Sequence, residues 1–236
     1  MAAELHKLRF LPTPRWTLLI CLGFAVMGSV VALFDGSEAK STYVDAAEVI
    51  TGIGTVIGSI VLGVWVAGVE YGQSTMRRVL SSDPRRGRVF AVKVLLAMAA
   101  ALALTVIVWA ASALLLLLAA SANGAPSPGG DIIAESGQSL VANPIYAAIG
   151  CGVAILARSM AGGMTAMLAL VFVLDTALTA LPVGDISLGS ALREIGRAIE
   201  GESGEQDVGH AVRVTLAWMV VLLTAAWARF TRTDVS

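Results

Sequence analysis

Six long apolar runs, almost free of charge, dominate this chain: 16–34, 49–69, 89–120, 140–157, 161–181 and 211–228. A bilayer's hydrocarbon core is about 30 Å thick and takes about 20 apolar residues per spanning helix, so each run suits a membrane crossing. Leu, Ala and Val make up most of every run, with no period-two alternation. That pattern favours helices over a β-barrel, because only those two structures satisfy every backbone polar group in lipid. Composition agrees. Charged residues are 14% of the chain and mean hydropathy is +0.81, whereas about a quarter of residues are charged in a soluble domain. The class is an all-α integral membrane protein with six transmembrane helices, a single transmembrane domain over 1–236. The third run exceeds the bilayer at about 1.5 Å per residue, so it must tilt or project. The fourth is short and carries Pro144 near its start, where a proline either opens a helix or breaks one. The first run is too long for a secretory leader, and Glu4 and two prolines precede it, so it is expected to be a retained span.

Between the runs, charge alternates in sign. Twelve of the sixteen Lys and Arg fall on one side of the alternation. They are Lys7, Arg9 and Arg15, then Arg77, Arg78, Arg85, Arg86, Arg88 and Lys93, then Arg158, then Arg229 and Arg232. The other side has Lys40, Arg193 and Arg197 with most of the acids, from Asp35 to Asp207. The positive-inside rule then predicts both termini in the cytoplasm. Of the outer loops, 121–135 is rich in Gly, Pro and Ser and reads as flexible. The outer segment 183–209 differs. In it Leu188, Leu192, Ile195 and Ile199 recur at helical spacing, with Arg193, Glu194, Arg197 and Glu200 on other faces. This predicts an amphipathic helix at the outer surface or dipping into it.

Several chemistries have no residues to carry them. There is no G-x-x-x-x-G-K-[ST]; the decoy FDGSEAKST has Phe34 and Ala39 where glycines are needed, ahead of Lys40 and Ser41. No H-E-x-x-H and no G-x-S-x-G occur. His6 and His210 are far apart, and Cys21 and Cys151 each sit alone in an apolar run, as small buried hydrophobes do. A catalytic site, a metal site and a nucleic-acid partner are all unexpected in this chain.

The most unusual stretch is 69–93, VEYGQSTMRRVLSSDPRRGRVFAVK. Glu70 falls where the second span ends, and a partly desolvated carboxylate needs a partner; Arg77, Arg78, Lys93 or an N-terminal lysine could serve. Residues 71–80 suit about three helical turns, with Met76, Val79 and Leu80 on one stripe. Pro84 then disfavours helical geometry at Asp83. A plain basic loop with an interfacial helix would account for this much.

The spacing E-Y-x-x-S-T-x-R-R-x-L-x-x-x-P-R-R then resembles the segment that follows the second span in ABC-2 type permeases, the membrane subunits of a class of bacterial ABC exporters. Glu70, Tyr71, Thr75, Arg77, Leu80, Pro84, Arg86 and Lys93 fall on that family's pattern, and Ser74 replaces its usual glycine. The N-terminal AELHKLRFLPTPRW is similar to the family's lead-in to the first span. The resemblance covers the whole chain in architecture and about forty residues in motif. It implies an ABC-2 (type V exporter-like) permease fold, with an interfacial segment at 1–15 and a cytoplasmic coupling helix and loop at 70–88. It implies an ATPase subunit dimer docking on Glu70, Tyr71, Thr75, Met76, Arg77, Arg78, Leu80, Pro84 and Arg86, with Arg158 in a second contact. It also implies a second permease subunit, ATP and magnesium bound by the partner rather than by this chain, and the bacterial cytoplasmic membrane as location. On that reading Glu70→Ala uncouples transport with expression and assembly intact. The rival reading is a non-transporting anchor or assembly subunit of a larger membrane complex.

Besides Lys93 at the start of the third run, the ionisable residues Asp175 and Arg213 fall inside spans. Asp175 lies about 9 Å from the outer end of the fifth, and Arg213 about one turn into the sixth. Three arrangements stay open for Asp175: an ion pair with Arg213, a protonated buried acid, or a place in a wet cavity. The second span carries Gly52, Gly54, Gly58 and Gly63, which serve either close helix packing or the lining of a path.

Overall fold

A computed structural model describes residues 12–73, 85–182, 184–200 and 208–232. Six helices in it are long and apolar enough to cross a membrane. In chain order they are α1 (Pro12–Asp35), α2 (Lys40–Gly72), α3 (Arg86–Ala122), α4 (Gly129–Ala157), α5 (Met160–Thr179) and, after the short α6 (Leu188–Glu200), α7 (Val208–Arg232). No strand occurs among the described residues. Glycine in the left-handed region ends two of these helices: Gly36 (φ 61°) follows α1 and Gly124 (φ 72°) follows α3.

The helices are inside out relative to a water-soluble bundle. Along α1 the buried residues are small: Thr17, Cys21, Ala25, Ser29 and Ala32. The exposed ones are large, among them Trp16, Phe24, Met27 and Phe34, the last 84% exposed. In water this distribution would be an aggregation hazard. In lipid it is the expected one, since small residues let helices approach and large ones meet the acyl chains.

Helix α4 is the hub. It packs against α2, α3, α5, α6 and α7, and Ala147, Ala148, Ile149, Cys151 and Ala154 along it have essentially no exposure. Small residues, Ala147, Gly150, Cys151 and Ala154, recur along this stretch, and α2 meets it at Gly63. A Cβ placed on Gly63 would strike the backbone of Ala147, 2.7 Å from its Cα. Gly68 is as tight against Met160 of α5, at 2.9 Å from its Cα, and Gly58 against Cys21 Sγ and Leu104. Gly54 is loose by comparison, 3.7 Å from Phe24. Close packing therefore accounts for Gly58 and Gly63, but not for Gly52, which has nothing within 4 Å.

Three boundaries differ from expectation. Helix α2 starts at Lys40 rather than near 49, because Tyr43 is fully buried and donates its hydroxyl to Ser37 O while accepting from Asn123 Nδ2. The segment expected to be flexible over 121–135 is mostly helix: α3 ends at Ala122 and α4 starts at Gly129. Lys40 forms an ion pair with Asp131 there, tying α2 to the first turn of α4. The fourth span is thus long, and Pro144 neither opens nor ends it but lies in its interior. Its neighbour Asn143, fully buried, donates Nδ2 hydrogen bonds to Thr55 Oγ1 (2.7 Å) and Thr105 Oγ1 (2.8 Å), holding α2, α3 and α4 together at this level.

Gly63→Val should cost about 1–3 kcal/mol or more through overpacking, and lower the melting temperature of the detergent-solubilised protein. Gly23→Ala, on the exposed side of α1 with open space around it, should leave it unchanged. Equal melting of the two variants would mean that α2 and α4 are not in backbone contact.

Candidate functional site

Two places collect the polar residues of this apolar chain. The first is the end of the bundle where α2 stops and α3 starts. Helix α2 runs through Glu70 and Tyr71 to Gly72, so the first residues of the expected 70–88 segment extend the span itself. Thr75, Met76, Arg77, Arg78, Leu80 and Pro84 lie outside the described residues, as does most of the N-terminal 1–15 segment. What the structure places is the two ends from which 74–84 hangs.

At the incoming end, Glu70 is 2% exposed and Lys93 is fully buried, and Lys93 Nζ donates to Glu70 Oε1 at 2.7 Å. Lys93 also reaches Val66 O at 3.4 Å. Of the cations in reach by sequence, Lys93 thus pairs with Glu70. Sequence reasoning could not choose it, because Lys93 lies twenty-three residues away and only the antiparallel packing of α2 on α3 brings it level. At the outgoing end, Arg86 donates from Nη1 to Thr231 O at 2.9 Å. One turn on, Phe90 stacks edge-on to Trp227 (5.8 Å between centroids) and lies 6.1 Å from Phe230. These contacts bind the start of α3 to the end of α7. Gly87 has no side chain to hold Trp227 away.

Arg158 stands in the turn between α4 and α5 with φ 53°, a left-handed conformation that costs a non-glycine residue about 1 kcal/mol. Ser159 then caps α5, accepting from Gly162 N at 3.2 Å. Gly163 lets this turn close, since a Cβ there would sit 2.8 Å from Ala154 Cα. Arg158 and Arg229 are both electrostatic neighbours of the half-buried Tyr71. The α4–α5 turn therefore sits beside the point where α2 hands over to 74–84.

The second place is a cavity of about 460 Å³ towards the other end of the bundle. Helices α2 and α5 pack through Gly68 and Met160 near their Glu70 end, then part. Each carries a π-helical stretch where they diverge, Ile50–Thr55 and Ala169–Leu174. Such stretches shift the side chains off the regular helical register and are frequent at functional sites. Gly52 and Ile53 from one stretch, and Val171 and Phe172 from the other, line the cavity, while Gln138, Ser139 and Tyr146 of α4 form its floor. Charge enters from Glu48, Asp175 and Arg193.

Asp175 is not joined to Arg213. Its Oδ1 accepts from Ser187 Oγ (2.6 Å) and from Gly189 N (2.9 Å), in the first turn of α6. Ser187 Oγ in turn accepts from Ser190 N. The carboxylate thus meets the positive end of the α6 dipole, which is why a span tolerates it. Gly189 is required for this approach, since a Cβ there would collide with the Asp175 carboxylate. The ion pair with Arg213 is thus absent, and Asp175 lines the cavity and anchors α6. Arg213 is exposed on α7.

Helix α6 stands against α4 and α7. Leu188 and Leu192 are buried as expected, but Ile199 is 54% exposed and Glu194, expected on the polar side, is 4% exposed. Burial on two sides explains this: α6 is clamped between two helices rather than resting on one surface. Trp218 Nε1 donates to Ile186 O at 2.9 Å and secures its approach.

Lone substitution of Glu70 or Lys93 removes one member of the buried pair, and breaking such a pair costs about 3–5 kcal/mol. Glu70→Ala should therefore lower folded yield and melting temperature, not merely uncouple a function. Glu70→Leu combined with Lys93→Met should recover most of that loss. A double variant as unstable as either single one would show that the pair is not coupled.

Comparison of the chain with protein-family models, with curated proteins and with solved structures finds no match.

Proposed function

We propose that the chain is the permease subunit of an ABC-2 type transporter. Two such subunits, identical or homologous, form an export pathway in a bacterial cytoplasmic membrane, and separate ATPase subunits bind ATP and magnesium. The observation that carries this reading is the buried Glu70–Lys93 pair, joined to the spacing of the residues that follow it. A segment that transmits force from a docked protein needs stiff ends, or the stroke is lost in bending. Here 74–84 leaves α2 at an ion pair shut off from water and re-enters at Arg86, whose side chain is tied to the last turn of α7.

On this reading both termini and the Glu70 end face the cytoplasm, where the positive-inside rule puts the arginines. Residues 71–80 form the helix that the ATPase grips, through Thr75, Met76, Arg77, Arg78 and Leu80, and Pro84 ends it. The Arg158 turn is a second contact, close to Tyr71. Closure of the ATPase dimer pushes on α2, and the tight contacts at Gly63 and Gly68 pass the displacement to α4 and α5. The glycine contacts suit that task because interfaces without side-chain slack move as rigid bodies.

Purification of the full-length chain from its native membranes in mild detergent should bring with it an ATPase carrying a phosphate-binding G-x-x-x-x-G-K-[ST] loop. Arg77→Ala with Arg78→Ala should abolish that co-purification while leaving the melting temperature of the chain unchanged. Recovery of the chain with other membrane proteins and no such ATPase would overturn the reading in favour of a non-transporting anchor.

A further inference from the structure

The cavity between α2 and α5 is lined by the Asp175 carboxylate and the Arg193 guanidinium, which form no ion pair with each other. Arg193 is exposed on α6, one turn beyond Gly189, and its guanidinium makes no hydrogen bond or ion pair among the described residues. Its Nη1 lies 3.6 Å from the Cβ position of Gly189, the same position that the Asp175 carboxylate crowds. The missing side chain of Gly189 thus makes room for the Asp175 carboxylate beside Arg193, and the two charges mark a slot on the cavity wall. Asp175 uses Oδ1 for α6 and keeps Oδ2 towards this slot.

Apolar surface surrounds the slot. Val49, Ile53 and Phe172 line the cavity and are also 60%, 52% and 47% exposed on the flank of the bundle. The cavity therefore opens sideways, through a wall of the kind that faces acyl chains, and it narrows to charged groups inside. An amphiphile entering from the bilayer would put its head among the charges and leave its chain against Ile53 and Phe172. The volume of about 460 Å³ lies within the range of small-molecule sites. A purely anionic head would meet the Asp175 carboxylate, and a purely cationic one would meet Arg193. A head with both charges satisfies the two sides at once, and charge-assisted hydrogen bonds are the strong ones in such a setting.

We infer that this cavity binds an amphiphile with a zwitterionic head, its phosphate or carboxylate on Arg193 and its ammonium towards Asp175. The inference concerns binding by this chain alone and holds whether or not an ATPase drives it.

The test uses the full-length chain in an uncharged sugar detergent and native mass spectrometry. The probes are three single-chain amphiphiles of equal chain length: lysophosphatidylethanolamine, lysophosphatidylglycerol and an alkylammonium. Soluble phosphoethanolamine is the fourth. Lysophosphatidylethanolamine should bind roughly tenfold tighter than either singly charged probe, and phosphoethanolamine far more weakly for want of a chain. Arg193→Gln removes no hydrogen bond of the fold, so its melting temperature should stay unchanged while the zwitterionic probe falls to the level of the alkylammonium. Gly52→Leu, where the added side chain meets open space at the cavity wall, should reduce binding of all three amphiphiles. Affinities of the three amphiphiles within roughly twofold of one another would overturn the inference and mark the cavity as a place for any acyl chain. So would tighter binding of a singly charged probe, or an Arg193→Gln variant that melts and binds as the parent does.

Discussion

The approach of α2 to α4 at Gly63 and Ala147 sets the spacing of the whole bundle. In hydrocarbon there is no hydrophobic force between helices, so they associate through contact area and hydrogen bonds. Backbone-to-backbone contact gives the most area, and it requires that neither helix carry a side chain at the crossing. Helix α4 satisfies this with Ala147, Ala148, Gly150, Cys151 and Ala154, and every other long helix except α1 packs on it. The fully buried Asn143 cluster adds directional bonds to the same interface. An amide donor shared between two threonines fixes the rotation of α2 and α3 about α4.

Both polar regions follow from where that contact is strong and where it stops. Near Glu70, α2, α3, α4 and α5 are drawn together through Gly63 and Gly68, and the interior is dry enough that Glu70 and Lys93 must pair. Farther along, α2 and α5 diverge over their π-helical stretches, and the gap is only partly closed by α6 leaning in from the loop. Asp175 is the hinge pin of that arrangement, since it gives α6 its start and the cavity one of its charges. One small residue, Gly189, makes both possible.

A good part of this was legible in the amino-acid order. Apolar runs gave the six long helices, and helical spacing gave α6. The glycines of α2 signalled close packing, which Gly58 and Gly63 provide. The departures have physical causes that lie outside local sequence. Helix α2 begins early because Tyr43 is buried against Asn123, eighty residues away. The Gly-Pro-Ser stretch shortens to a few residues because Lys40 and Asp131 tie α2 to α4 at its edge. Pro144 is tolerated inside α4 because the helix is buried on nearly all sides and held there by its neighbours. Glu194 is buried because α6 is clamped from two directions, which a single amphipathic stripe does not record.

Sequence by itself determined the class of this protein: six apolar helices, the alternation of charge between them and the placement of Glu70 at the edge of a span. These are properties of single segments in contact with lipid or water, so composition and periodicity suffice to read them. Tertiary structure alone decided which cation meets Glu70, what Asp175 does and where the cavity lies. Each of those depends on residues from different helices arriving at one depth, and that depth is set by close packing along α4, where a missing side chain governs the distance between two backbones.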